Sequence, residues 1–408
     1  MEKIAFIFPG LGSQFVGMGK SFYDDFEIVR QTYEEASDFA GFDIADLCFQ
    51  GTGLEQNRID KMQFIVVTTG VAIARAFLYQ YGITPQFCAG HSVGEYAALV
   101  CSGAVKFSDV IEILKVRGEL LKKATKLGQM SIVEKMKADT AEEILQKNDD
   151  LKVYISCYNS PDQFAISGSQ IELAEEKLLG ENAMVTPIIY SPPIHSPLME
   201  EYSKEFYDFI SEFTYYSFRM PIVANVTGAP FSEPSKIATI MSEQLFKPVQ
   251  WNNTMRCFEK YGVSMVVEMG PKNLLTSFLK DMDPSIKKYC FGIKKDRADI
   301  NRLFLSDESL QKDKVEFIDR CLGIAVSTPN LNDNTEEFQS GVVKNYNYIK
   351  KISEQNEYGL SVNDMRSVIR YLIEIMNTKR VPEKEQQDWL KQLLDETSSY
   401  YHLKEFIN

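Results

Sequence analysis

PQFCAGHSVGEYAALVCSGAV, residues 85–105, is the stretch whose reading decides the fold. The run at 86–89 predicts a short buried strand, Gly90 and Gly94 bracket a tight turn, and a helix begins at about Tyr96. A strand that must turn sharply into a helix tolerates little side-chain bulk, which is why glycines flank the turn. That geometry pushes the Ser92 hydroxyl into the open at a helix N-terminus, where backbone N–H groups and the helix dipole favour negative charge. G-x-S-x-G between a strand and a helix is the nucleophile elbow, and the N–H of Val93, the next residue, is a natural oxyanion donor.

Around this centre, IAFIF (4–8) reads as a buried strand ending at the Pro9-Gly10 turn, and 62–80 as a buried helix. Residues 107–122 form an amphipathic helix containing Arg117. From about 128 the pattern changes. MSIVEKM, a helix at 140–147, KVYISCYN, FAISG, a helix at 170–179 and MVTPIIY give a β-α-β-β-α-β rhythm, the order of a ferredoxin-like unit. MVVEMGP (265–271) is a late buried strand. Past about 296 the composition shifts: residues 301–408 hold three glycines and two prolines. Met365, Val368, Ile369, Leu372, Ile375 and Met376 recur at helical spacing, as do Trp389, Leu390, Leu393 and Leu394. The stretch 329–340 reads as a loop. The expected fold class is therefore α/β. An α/β-hydrolase-like large domain (1–127 and 197–295) carries an inserted ferredoxin-like small domain (128–196), and a helical C-terminal extension follows (296–408).

A serine is a weak nucleophile until a base takes its proton. The chain has three histidines, His91, His195 and His402, so the candidates are few. His91 adjoins Ser92, and adjacent residues on a sharp turn point apart; it reads as a supporting residue beside the elbow. His402 falls near the C-terminus, on a helix surface. His195, in YSPPIHSPLM, follows an extended proline-rich approach and is the expected base. No carboxylate stands out as a third member, so a neutral acceptor is an alternative for orienting the base. Arg117 on its own reads as a surface cation.

With 408 residues, the chain suits two or three domains. Its net charge of −13 argues against nucleic-acid binding, which needs a basic footprint. MEKIAFIFPG has no basic n-region before an apolar h-region, so no signal peptide is expected. No apolar run approaches a spanning length. The seven scattered cysteines form no C-x-x-C pair and read as reduced thiols of a cytoplasmic protein. No metal site, membrane association or bound cofactor is expected, and the chain is expected to be a monomer.

Along residues 3–290, FPGLGSQFVGMG, GHSVGEYAAL, KVRGELL, YNSPDQFAISG (with Asn159 and Gln163), HSPLM, ANVTGAP, QLFKPVQW and EMGPKNLL fall in one order. In that order they resemble the motifs of the malonyl-CoA:acyl carrier protein transacylase family, which includes polyketide synthase acyltransferases. The resemblance implies a ping-pong reaction. Ser92 would attack a thioester while His195 removes its proton, and the oxyanion would be held by the N–H groups of Val93 and Leu11. A main-chain carbonyl, by alignment that of Gln250, would orient His195. Arg117 would pair with the free carboxylate of a malonyl-type acyl group, beside Ile194 and His91. The substrate would be a phosphopantetheine thioester, of coenzyme A or of an acyl carrier protein.

Three departures stand out. Leu11 replaces the family's glutamine. The stretch Pro192-Pro193-Ile194-His195 matches neither the H-A-F-H of malonyl-selecting polyketide acyltransferases nor the Y-A-S-H of methylmalonyl-selecting ones. The roughly 100 extra helical residues look more like a free-standing, trans-acting acyltransferase of a polyketide or hybrid pathway than a housekeeping fatty-acid enzyme. Two other functions remain open to test: an acyl hydrolase that clears stalled carrier proteins, against which Arg117 argues, and a silent interaction subunit.

Overall fold

The computed structural model describes residues 2–189, 191–304, 307–355, 362–397, 399 and 403–407. The chain divides into two compact units, Met1–Ala76 with Pro85–Arg297, and Phe77–Thr84 with Ala298–Asn408.

Among the described residues the first unit contains nine strands: β1 (Ile4–Phe8), β2 (Phe87–Gly90), β3 (Gln129–Glu134), β4 (Val153–Ser160), β5 (Gln163–Gly168), β6 (Met184–Ile188), β7 (Ile222–Val223), β8 (Met265–Glu268) and β9 (Lys287–Cys290). Five form a sheet in the order β7-β2-β1-β8-β9, every pair of which is parallel. Strands buried on both faces read as unbroken apolar runs rather than alternating ones, and β1 is buried at all five residues. The register sets Phe8 beside Gly90 and Ile7 beside Glu268. The carboxyl ends of β1, β2 and β8 therefore lie along one edge. Open α/β sheets bind ligands at that edge.

The other four strands form an antiparallel sheet in the order β4-β5-β3-β6. Its core joins Val133, Phe164 and Ile166 to Ala141 and Leu145 of helix Ala138–Gln146 and to Ile171, Ala174 and Leu178 of helix Ile171–Gly180. Each strand and helix expected between 128 and 196 is present, within a few residues of its expected ends. Strands β7 and β9 were not anticipated. The first has two residues, and the second, KKYC, is largely half-exposed, so neither offers an apolar run to read.

One expectation about membranes is corrected. Helix Met62–Tyr81 is long and apolar enough to span a bilayer, because Thr68, Thr69 and Arg75 dilute its apolar run without breaking its helical pattern. It is a mostly buried core helix. The seven cysteines are all free, and all but Cys101 are buried.

In the second unit the helices Asp307–Ser327, Lys344–Gln355, Val362–Thr378 and Glu383–Glu396 share a core. It contains Met365, Val368, Ile369, Leu372, Ile375, Met376, Leu390, Leu393 and Leu394, with Trp389 packed against it. The expected loop at 329–340 stops earlier. The Asn334 side chain accepts the N–H groups of Glu336 and Glu337 at 3.0 and 3.2 Å, an N-cap that starts a helix at Thr335, continuing as a π-helical turn at Phe338–Val343. His402 lies outside the described residues.

Candidate active site

The elbow forms where β2 gives way to helix Gly94–Cys101. The close approach of neighbouring chains explains its glycines. A Cβ on Gly90 would sit 2.0 Å from the Gly94 carbonyl carbon, and one on Gly94 would sit 2.2 Å from the Phe8 oxygen. Gly10 plays the same part in the turn after β1, where a Cβ would meet the His91 oxygen at 2.6 Å. The Gly10-Leu11 backbone is thereby drawn against the nucleophile. Neither the Leu11 nor the Val93 N–H donates a backbone hydrogen bond to a described residue.

Ser92 has φ 52°, a left-handed conformation that costs a non-glycine residue energy and must be held by its surroundings. Asn225 holds it: its Oδ1 accepts the Ser92 N–H at 2.6 Å, and its Nδ2 donates to the Gly90 carbonyl. His195 is also left-handed, at φ 61°, and its N–H donates to the Leu245 carbonyl at 2.7 Å. The two strained residues meet, Ser92 Oγ lying 2.7 Å from His195 Nε2.

The other ring nitrogen fixes the chemistry. His195 Nδ1 lies 2.6 Å from the carbonyl oxygen of Gln244. A carbonyl only accepts, so Nδ1 carries the proton and Nε2 of the neutral ring offers a lone pair to the serine hydroxyl. Burial, reinforced by the Arg117 charge, lowers the imidazole pKa to about 3 and keeps it neutral. This corrects the expectation for Gln250. Its carbonyl instead accepts the Thr254 N–H at 3.0 Å as helix Trp251–Lys260 begins, so it is committed elsewhere. QLFKPVQW contains two glutamines, and the orienting one is the first.

Gln244 does more than orient the base. Its Nε2 donates to the Ser92 carbonyl at 3.0 Å and to Glu95 Oε2. Glu95 is fully buried and its other oxygen accepts the Asn225 N–H at 3.0 Å. Burial raises its pKa to about 8, against the pull of those two donors. One neutral carboxyl thus joins the residue that holds the nucleophile to the residue that holds the base. Sequence reasoning missed Asn225, Gln244 and Glu95 as site residues, although each lies within a motif that it quoted.

Arg117, on helix Phe107–Ala124, is fully buried rather than a surface cation. Its Nη1 donates to Gln63 Oε1, and no acidic side chain among the described residues pairs with it. Nε and Nη2 have no partner among the described residues. These two N–H groups form one side-on edge of the guanidinium, the edge that takes a carboxylate bidentately.

His91 turns its Nε2 to Asn159 rather than to the Ser92 hydroxyl. Its Nε2 lies 2.8 Å from Asn159 Oδ1, and Asn159 Nδ2 donates to Gln163 at 3.1 Å. Its ring packs edge-on to Trp251 at 5.4 Å, and burial lowers its pKa to about 4. Ile194 is buried, its carbonyl accepting the Ser167 hydroxyl at 2.9 Å.

A serine elbow, a neutral imidazole base and a buried guanidinium at the carboxyl edge of a parallel sheet define an α/β enzyme of the acyl-transfer class. The chain belongs to the acyltransferase family: residues 5–312 match the family model described as acyl transferase domain, and the protein is an acyltransferase. A malonyl CoA-acyl carrier protein transacylase of Bacillus subtilis is 30% identical over 400 residues, 96% of this chain and 100% of that protein. One of Escherichia coli strain K12 is 32% identical over 286 residues, 69% of this chain and 93% of that protein. Among solved structures, the transacylase of Xanthomonas oryzae aligns with a TM-score of 0.71 at 28% identity, covering 74% of this chain and 99% of that one. A malonyl-transacylase in complex with a type II PKS acyl-carrier protein aligns at 0.70 and 28%, with the same coverage.

Proposed function

We propose that this protein moves a malonyl-type acyl group from a phosphopantetheine thioester, through an ester on Ser92, to the phosphopantetheine thiol of an acyl carrier protein. The observation that carries this reading is the partnerless side-on edge of buried Arg117 near the Ser92–His195 pair. A buried cation without a counter-charge is costly, and a substrate carboxylate supplies one. A lipase or esterase of uncharged esters has no use for it.

In this mechanism His195 Nε2 takes the Ser92 proton as Oγ bonds to the thioester carbon. The oxyanion forms against the N–H groups of Leu11 and Val93. The C–S bond then breaks, and the departing sulfur takes the proton from His195. The acceptor thiol next gives its proton to His195 and attacks the ester, and Oγ recovers the proton as its bond to carbon breaks. The Gln244 carbonyl holds the imidazolium in both halves. Ile194 and His91 border the acyl group, and Leu11 with Pro192-Pro193-Ile194 gives the pocket its own lining.

The donor is coenzyme A or a carrier protein, and the setting a polyketide or hybrid pathway. The match of the Bacillus subtilis relative over 400 residues supports a transacylase to which the helical C-terminal region is integral. The finer fold reading goes with it. The parallel-sheet portion is α/β-hydrolase-like, and the β4-β5-β3-β6 order fits a ferredoxin-like small domain.

The test is intact-protein mass spectrometry after incubation with malonyl and acetyl thioesters on both coenzyme A and an acyl carrier protein. Wild type should gain one malonyl group, and Ser92→Ala none. Arg117→Ala should lose malonyl transfer by on the order of 100-fold while sparing acetyl. Equal loss for both acyl groups would remove Arg117 from the carboxylate role. Release of free malonate faster than transfer would make the protein a hydrolase.

A further inference from the structure

Tyr96 stands four residues after Ser92, in the first turn of the helix that begins at Gly94. Its side chain is 1% exposed, and its hydroxyl has no hydrogen-bond partner among the described residues. The Arg117 guanidinium carbon lies 5.7 Å from the centre of its ring, and the cation's charge bears directly on the phenol. With Arg117 Nη1 committed to Gln63, the Tyr96 hydroxyl faces the guanidinium in the interior, and neither it nor Arg117 Nε or Nη2 reaches a close hydrogen-bond partner among the described residues.

A guanidinium can only donate, so the buried Tyr96 O–H proton has no acceptor there, a cost that phenylalanine, filling nearly the same volume, would not carry. Arginine alone does not complete a carboxylate either. A carboxylate has about four lone-pair sites on its two oxygens, and the side-on fork uses one on each. A hydroxyl donor beside the fork reaches one of the others. Acetyl and other uncharged acyl groups offer nothing to either residue.

We propose that Tyr96 is a substrate-binding residue whose phenol donates a hydrogen bond to the acyl carboxylate seated on Arg117, so that the pair selects acyl groups ending in a carboxylate. This rests on the malonyl-type reading of Arg117. Arg117 then recognises the charge, and Tyr96 adds a directional contact that discriminates between carboxylated and uncharged acyl groups.

The experiment compares single-turnover acylation of Ser92 by malonyl and acetyl thioesters in wild type, Tyr96→Phe, Arg117→Ala and the double variant. Tyr96→Phe should lower the malonyl-to-acetyl ratio by about tenfold, the strength of one hydrogen bond to a charged acceptor. The ratio should fall again when Tyr96→Phe is added to Arg117→Ala, because the phenol acts on the carboxylate itself. An unchanged ratio overturns the proposal. So does a fall seen only when Arg117 is present, which would reduce Tyr96 to a support for the guanidinium. If Arg117→Ala itself shifts malonyl and acetyl equally, the underlying reading fails instead. Inhibition of acetyl transfer by free malonate reads the same contact without malonyl turnover. Its inhibition constant should rise about tenfold in Tyr96→Phe, and a constant equal to wild type overturns the proposal.

Discussion

His195 is a base because its environment denies it a proton. Burial acts first and the Arg117 charge second, and together they take its pKa from 6.5 to about 3. Between those values the unfolded chain binds a proton that the folded one refuses. The stability this group contributes is therefore whole above pH 6.5 and lost as pH falls through the window. The same shift sets the rate. The acid limb of kcat/KM reports the free enzyme, so with an acetyl thioester it should lie well below pH 6.5 in wild type. Arg117→Ala removes a repelling cation and should move that limb upward. A pH–rate profile of the variant that overlays wild type would show that the arginine's charge does not reach the imidazole. Ser92 and His195 were legible because few side chains can perform nucleophilic attack and proton removal, whereas Arg117 read as a surface cation until the family resemblance implied its carboxylate role. The partner of His195 was not legible, because any residue has a main-chain carbonyl. The choice between Gln244 and Gln250 depends on which carbonyl a helix start has already claimed.

At the scale of elements, the strand–turn–helix unit could be read from glycine spacing, while the bracing beneath it could not. Glu95 looks like an ordinary acidic residue near a helix N-terminus, where negative charge is favoured. Only the fold shows that it is dry and accepts hydrogen bonds from Asn225 and Gln244, residues 130 and 149 positions away. Its pKa, raised by burial to about 8, gives this bracing a pH signature. From pH 4.5 to about 8 the folded state keeps a proton that the unfolded state releases. The stabilisation is full below 4.5 and is lost as pH rises through 8. Glu95→Gln has no such dependence. Wild type should melt above the variant at pH 5, and the gap should narrow by about 2 °C or more at pH 9. A gap of constant size at both pH values would mean that Glu95 is not held neutral in the folded protein. The small antiparallel sheet was legible throughout for the opposite reason: its strands and helices follow one another locally, each with its own periodicity.

For the whole molecule, the compositional shift near residue 296 located the start of the helical region but not its full membership. Contacts assign Phe77–Thr84, the end of a helix begun at Met62, to the same compact unit as Ala298–Asn408. Within that unit Tyr81 donates to Asn301 Oδ1 at 2.6 Å, and Gln80 donates to the same oxygen at 3.0 Å. The Phe77 and Tyr81 rings lie 6.3 and 5.7 Å from Phe304. No periodicity within 62–80 distinguishes these last residues from those before them, so sequence alone could not divide the helix. The helical region is therefore not a tail that can be cut away cleanly. Removing 298–408 would leave Phe77 and Tyr81, both buried in the intact chain, without the residues that cover them. Exposed aromatic surface of that kind promotes association. A chain ending at Arg297 should be recovered mostly as aggregate, and any soluble fraction should melt well below the full-length protein. Replacing Phe77 and Tyr81 in the truncated chain with polar residues should restore part of the solubility. A truncated chain that stays monomeric by light scattering and melts with wild type would show instead that residues 77–84 need no partner from the C-terminal region.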